Sequence, residues 1–158
     1  YALTKGQSSP TTDPGVVNDL SPQGSQSIPL NPLALAITLG APFVARGFAG
    51  DKEHLTELIK EAILFKGTAL VDILQPCVSF NKVNTYAWYR ERVSKLEAPL
   101  ADRHEALKTA ELWGEKIPIG VIYRDDGASC REVKEIFRRE APPDQIACQA
   151  DMTCVMMR

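Results

Sequence analysis

Histidine is scarce in this chain, with two among 158 residues, and aromatic rings make up only 7% of it. His54 and His104 have no serine or cysteine that spacing sets beside them, so both read as surface residues and a hydrolase of the Ser-His or Cys-His type has no support. No apolar run approaches the roughly 18 to 20 residues of a membrane helix, and the first residues carry neither a basic nor a signal-type hydrophobic segment. The expectation is a soluble, cytoplasmic protein with no membrane contact. Neither sign of charge dominates. With 18 Lys and Arg scattered among 20 Asp and Glu the net charge is -2, which offers no field for nucleic acid. Cys77, Cys130, Cys148 and Cys154 show no Cys-x2-Cys spacing, and a chain that is 44% hydrophobic needs no disulfide framework. The thiols are expected to be reduced, with Cys148 and Cys154 only a weak metal signal.

What is present is enough apolar residue for one domain of ordinary size. Residues 1–31 hold Pro10, Pro14, Pro22 and Pro29 among many Ser, Thr, Gln and Asn, a composition that sustains neither helix nor central strand. Such a long loop is functional or poorly ordered, and poor order is expected unless another chain covers it. Asn31-Pro32 opens a helix that Gly40 stops, and its near-continuous apolarity implies burial on most faces. Phe43–Arg46 reads as a strand, Asp51 caps a helix running to Phe65, and Ala69–Leu74 reads as a second strand. Strand, helix and strand at this spacing make a βαβ unit with parallel strands. Residues 85–96 read as a helix, Asp102 to Trp113 as another, and Ile117–Tyr123 as a last strand with Pro118 near its start. A final helix is expected over 129–139, then an irregular tail. The fold class is therefore an open, mostly parallel, doubly wound α/β sheet.

Ligands in such sheets sit beyond the carboxyl ends of the strands. Two loops qualify. In the first, Tyr1 to Thr12, Gly6 permits close backbone approach, Thr4 and Gln7 offer hydrogen bonds, and Lys5 is a cation suited to phosphate or carboxylate; a solvated surface loop is the plain alternative. The second, Gln75-Pro76-Cys77, follows a strand, and its lone cysteine is either a small packing residue or a ligand. Arg46, near the end of the first strand, is either a substrate or coenzyme contact or half of a structural ion pair. Trp88 and Tyr89 beside Arg90 and Arg92 read as packing.

Tyr1-Ala-Leu-Thr-Lys-Gly-Gln7, with Ser9-Pro-Thr-Thr12, and Leu74-Gln-Pro-Cys-Val-Ser-Phe-Asn81 together resemble the beta subunit of the 2-oxoacid:ferredoxin oxidoreductases, in its carboxyl-terminal part. Asn31–Ala36, Gly40–Arg46, Gly50–Ala62, Asn84–Tyr89 and Ile117–Tyr123 resemble family segments in family order, so the likeness runs over about residues 1–123. It implies a thiamine diphosphate-binding fold in three parts: a cofactor-binding loop region at 1–31, the carboxyl-terminal half of the α/β domain at 32–123, and a helix with an irregular tail at 124–158. It also implies oxidative decarboxylation of a 2-oxo acid such as pyruvate or 2-oxoglutarate, with the acyl group passed to coenzyme A and electrons to ferredoxin. Tyr1, Leu3, Thr4, Gly6 and Gln7 would contact thiamine diphosphate around its Mg²⁺-bound diphosphate, Lys5 and Arg46 the substrate, and Cys77 would be one of four ligands to a [4Fe–4S] cluster. The implied partners are an alpha subunit, ferredoxin and the amino-terminal half of the beta subunit, which would supply the Gly-Asp-Gly aspartate, a metal-binding asparagine and the other three cysteines. Without that half the sheet is incomplete and the chain alone is expected to be inactive, with cofactors absent. The other reading is a non-catalytic α/β piece that acts only as a subunit-interaction module.

Overall fold

A computed structural model describes residue 1, residues 3–127 and residues 153–157. Five strands form one sheet in the order β3-β4-β1-β2-β5. β1 (Phe43–Phe48) and β2 (Ala69–Leu74) pair in parallel, Phe43 opposite Ala69 and Phe48 opposite Leu74, with α2 (Lys52–Leu64) between them in sequence. β4 (Ile117–Arg124) runs antiparallel to β1, and β3 (Val93–Lys95) is parallel to β4. β5 (Thr153–Met157) lies parallel to β2. Three of the four pairings are thus parallel, and the sheet is mostly parallel as expected.

Local chemistry explains the elements that were legible. Asn31 accepts from the Ala34 N–H at the start of α1 (Pro32–Thr38), and Pro32 takes the first helical position, where no N–H is needed. Asp51 accepts from the His54 N–H to cap α2, and Asp102 accepts from Glu105 N–H to cap α4 (Arg103–Glu111). Lys95 Nζ lies 2.7 Å from Asp51 Oδ2 and, with the capped N–H, holds that carboxyl below the usual range. Alternation along β1 sorts the core. Phe43 and Ala45 face α2 with Val71, Leu58 and Ala62, while Val44 faces the opposite layer with Leu33, Ile37, Ala106 and Ile122. Helices therefore cover both faces of the sheet. Pro118 pairs with Ser94 across β3, and the pairing with β1 stops at Gly120, so its missing N–H breaks no ladder bond on that side.

Four expectations need correction. The segment 85–96 is not one helix: α3 (Tyr86–Arg90) is short and the chain turns out into β3, because Ile117–Ile119 offers a strand edge that a helix would leave unpaired. α1 buries one face only, since Leu35 and Leu39 are exposed. The tail is not wholly irregular, since Thr153–Met157 supplies β5 to the open edge of β2. Residues 3–31 form a folded loop, in which Thr12, Asn18 and Ser25 are buried polar residues. Asn18 Nδ2 donates to Ser8 Oγ at 2.6 Å, Gly15 N–H to Ser25 O at 2.8 Å, and Leu30 N–H to Pro10 O at 2.8 Å. Side-chain and backbone bonds of this kind replace the helix or sheet ladder that prolines prevent. The expected helix over 129–139, with Cys130 and Cys148, lies outside the described residues. Among the described residues no helix is long and apolar enough to cross a membrane.

Candidate functional site

The first loop and the loop after β2 meet at the carboxyl ends of β1 and β2, where they enclose a cavity of about 360 Å³. Tyr1, Leu3, Thr12 and Asp13 come from the first; Gln75, Pro76 and Cys77 from the second. Tyr89 and Trp113 close the back, and Asn81 and Asn84 line the side next to Cys77. Each loop is shaped by its own residues. Gly6, at φ +108, returns its N–H to Tyr1 O at 2.9 Å, and Lys5 before it also takes a positive φ of 57. The Tyr1 hydroxyl meets Thr12 Oγ1 at 2.7 Å, and the same oxygen accepts Ser9 N–H at 2.8 Å. In the second loop Asn81 N–H donates to Cys77 O at 2.8 Å, and Asn81 Oδ1 accepts from the N–H groups of Val83 and Asn84, both at 2.9 Å. That turn fixes the backbone around Cys77, a free and partly exposed thiol.

The expected site residues divide in this arrangement. Tyr1, Leu3 and Cys77 line the cavity together. Leu3 stands at the rim, 98% exposed. Thr4, Lys5 and Gln7 are exposed beside it, and Gly6 is buried against Asp19 and Phe80 rather than facing the open space. Arg46 is 1% exposed, and its Nε lies 3.4 Å from Asp72 Oδ2, with Nη2 donating to Ala110 O at 3.2 Å. It borders a smaller neighbouring cavity of about 210 Å³, in company with Asp13 and Glu111. His54 and His104 lie away from both. Burial first, and then the Lys95 charge, lowers the His54 pKa.

Asp13, Asn81, Asn84 and Trp113 line the cavity without having been among the expected site residues. A lone aspartate in a polar loop and a tryptophan just past a helix carry no local signal. Asp72 did carry one: a carboxylate inside the apolar run Ala-Leu-Val-Asp-Ile-Leu has to find a cation, and the neighbouring strand holds one arginine.

The residues present test the implied cofactors differently. A [4Fe–4S] cluster takes four thiolates, and Cys77 fits one ligand position: a free thiol, held by its loop, at the cavity. Among the described residues no group of three or more His, Cys, Asp or Glu could hold a metal ion, so further ligands would come from elsewhere in the assembled protein. For the thiamine coenzyme, the cavity offers an aromatic and polar wall but no lining cation, so the metal and the diphosphate charge would also be met by residues beyond those described.

Helices on both faces of a mostly parallel sheet, with a polar cavity beyond its strand ends, define an open-sheet α/β domain, the class in which ligands sit beyond the carboxyl ends of the strands. Residues 77–136 match the family described as the C terminal of the pyruvate ferredoxin oxidoreductase beta subunit. The chain is 42% identical over 146 residues to the 2-oxoacid:ferredoxin oxidoreductase subunit beta of Saccharolobus solfataricus, covering 84% of this chain and 48% of that protein. The corresponding subunit from a Sulfolobus species is 43% identical over 139 residues, 80% of this chain and 46% of that one. Among solved structures, the 2-oxoglutarate:ferredoxin oxidoreductase from Magnetococcus marinus, with 2-oxoglutarate, coenzyme A and succinyl-CoA bound, superposes with a TM-score of 0.79 at 36% identity, over 88% of this chain and 49% of that one. This chain is a relative of the beta subunits of the 2-oxoacid:ferredoxin oxidoreductases, and it spans about half the length of the curated relatives it matches.

Proposed function

We propose that the chain is the carboxyl-terminal part of a working beta subunit, in which the cavity between the two loops receives the reacting end of thiamine diphosphate and Cys77 is a ligand to a [4Fe–4S] cluster. One observation carries this reading. Two loops more than sixty residues apart, singled out for unrelated chemistry, converge on the same space at the strand ends. Tyr1 and Leu3 shape the coenzyme side, Thr4, Gly6 and Gln7 form the turn behind them, and Lys5 at the rim supplies a cation for the carboxylate of a 2-oxo acid. Arg46 reaches the substrate only indirectly, through the smaller cavity behind Trp113. The coenzyme, when bound, supplies the electron sink for decarboxylation, and the cluster a one-electron route toward ferredoxin. This chain's own part is to orient the coenzyme, exclude water with Tyr89 and Trp113, and hold one thiolate close to where electrons leave. An alpha subunit, the amino-terminal part of the beta subunit, Mg²⁺, coenzyme A and ferredoxin complete the proposal.

The test is iron and thiamine content in the whole subunit expressed with its partner. About four irons, the content of one cubane cluster, and about one thiamine per copy are expected, with Cys77→Ser losing iron and keeping thiamine. Full iron in Cys77→Ser would overturn the ligand assignment, and absence of thiamine from the wild type would overturn the coenzyme assignment.

A further inference from the structure

We infer that Trp113 is a positioning residue for the coenzyme loop, holding Tyr1 at the cavity through Asp13 and Thr12; this rests on the coenzyme role proposed above. Leu112 leaves α4 in an extended conformation, φ -64 and ψ 119, and turns Trp113 under the strand ends. The support beneath it is buried and charged. Ala110 O, close to the negative end of α4, accepts from Arg46 Nη2 at 3.2 Å and from Asn31 Nδ2 at 2.9 Å. The Arg46 guanidinium, anchored by Asp72, lies 5.7 Å from the centre of the indole, and the Tyr89 ring packs edge-on at 6.3 Å. With its ring held on these sides, the indole aims Nε1–H at Asp13 Oδ2, 3.1 Å away and a hundred residues distant in sequence.

That bond stands on the partition between the two cavities, since Asp13 and Trp113 line both. Asp13 directly follows Thr12, which is 4% exposed and whose Oγ1 meets the Tyr1 hydroxyl at 2.7 Å. A shift of Asp13 therefore passes through one peptide unit to the Thr12 hydroxyl and on to Tyr1. The loop has neither helix nor strand to resist such a shift, so its binding geometry depends on side-chain ties of this kind. The smaller cavity is no anion site of its own: Asp13, Glu111 and the end of α4 set negative potential against a single Arg46 already facing Asp72. The buried cation thus acts through the tryptophan, and both it and Trp113 are positioning rather than catalytic residues.

The experiment compares Trp113→Phe, Asp13→Ala and Asp13→Asn in the whole subunit assembled with its partner. Two readouts are taken: the thiamine diphosphate concentration for half-maximal activity, and hydrogen exchange over residues 3–12 without added coenzyme. Trp113→Phe keeps a ring against the cavity and loses the donor; it should raise the half-saturating concentration about tenfold, the effect of losing one charge-assisted bond from a preorganised loop, a larger change than any in kcat at saturation. Exchange at Gly6 and Thr12 should quicken. Asp13→Ala should do the same, the double variant should be no worse than either alone, and Asp13→Asn, which keeps an acceptor, should stay near wild type. A fall in kcat at unchanged half-saturation, additive effects, or unaltered exchange over 3–12 would overturn the inference. Quickened exchange with no thiamine diphosphate binding by any form, wild type included, would overturn it through its premise, the coenzyme reading, rather than through the latch.

Discussion

Replacing Asn81 by alanine should loosen the cysteine loop at a cost that the hydrogen bonds define. Asn81 is 6% exposed; its Oδ1 accepts from Val83 N–H and Asn84 N–H, both at 2.9 Å, and its Nδ2 donates to Asn84 Oδ1 at 3.0 Å. Alanine strands two backbone amides and one amide oxygen. At about 1 kcal/mol each for the Val83 N–H and the Asn84 Oδ1, and about 1–3 kcal/mol for the buried Asn84 N–H, the loss sums to about 3–5 kcal/mol. That is a large share of the roughly 5–15 kcal/mol that holds a domain together. Asn81→Asp keeps both amide bonds, and the Asn84 amide can turn over to donate, so it should cost under about 1 kcal/mol. Urea unfolding followed by tryptophan fluorescence measures both, with an unchanged m-value as the control. In the folded state Asn81→Ala should also speed reaction of the Cys77 thiol with an aromatic disulfide, because the turn closed by the lost side-chain bonds directly follows the backbone bonds from Phe80 N–H and Asn81 N–H to Cys77 O, which then open more easily. An alanine variant within about 0.5 kcal/mol of wild type, or an aspartate variant as damaged as alanine, would refute the reasoning.

Two further outcomes follow from local geometry. At Gly6 a Cβ would meet Asp19 Cβ at 3.1 Å and Phe80 Cδ1 at 3.4 Å, on top of a φ of +108, whereas at Gly15, φ +80, it would meet nothing within 4 Å. Gly6→Ala should therefore cost about 2–3 kcal/mol and Gly15→Ala about 1 kcal/mol, read from urea midpoints. Burial lowers the His54 pKa below its unfolded value, so the unfolded chain takes up that proton more readily; the contribution of His54 is present above about pH 6.5 and fades as pH falls through the lower folded pKa. His54→Gln should flatten the stability profile across that window, and an unchanged profile would assign the dependence to other groups.

The parts of the fold that could be read from the sequence were those whose causes are local. Asn31, Asp51 and Asp102 cap helices with their own side chains, and the short run Ala69–Leu74, apolar but for Asp72, reads as a strand buried on both faces. What escaped is tertiary. Val93–Lys95 is a strand because Ile117–Ile119 lies open beside it, and Thr153–Met157 because β2 has a free edge. Three and five residues are too few for a period to declare itself. The order of residues 3–31 was illegible for a related reason: Asn18, Ser8 and Thr12 bond across gaps that composition does not encode.

The site followed the same division. Tyr1 and Cys77 were found through motifs, each within its own loop, but their convergence is a property of the sheet. Arg46 was noticed for its strand-end position. Its partnership with Asp72 makes it a support behind the cavity rather than a group within it. Trp113 and Asp13 are adjacent only because α4 delivers one and the proline-rich loop the other.

The central claim is that the two loops serve one reaction, and the most direct test is ferredoxin reduction by the whole assembled enzyme supplied with coenzyme A and either pyruvate or 2-oxoglutarate. Reduction that requires the 2-oxo acid, and that disappears in Cys77→Ser while wild-type levels of folded protein remain, is the predicted result. Ferredoxin reduced at the wild-type rate by Cys77→Ser, or not reduced with any 2-oxo acid by the intact protein, would contradict the account.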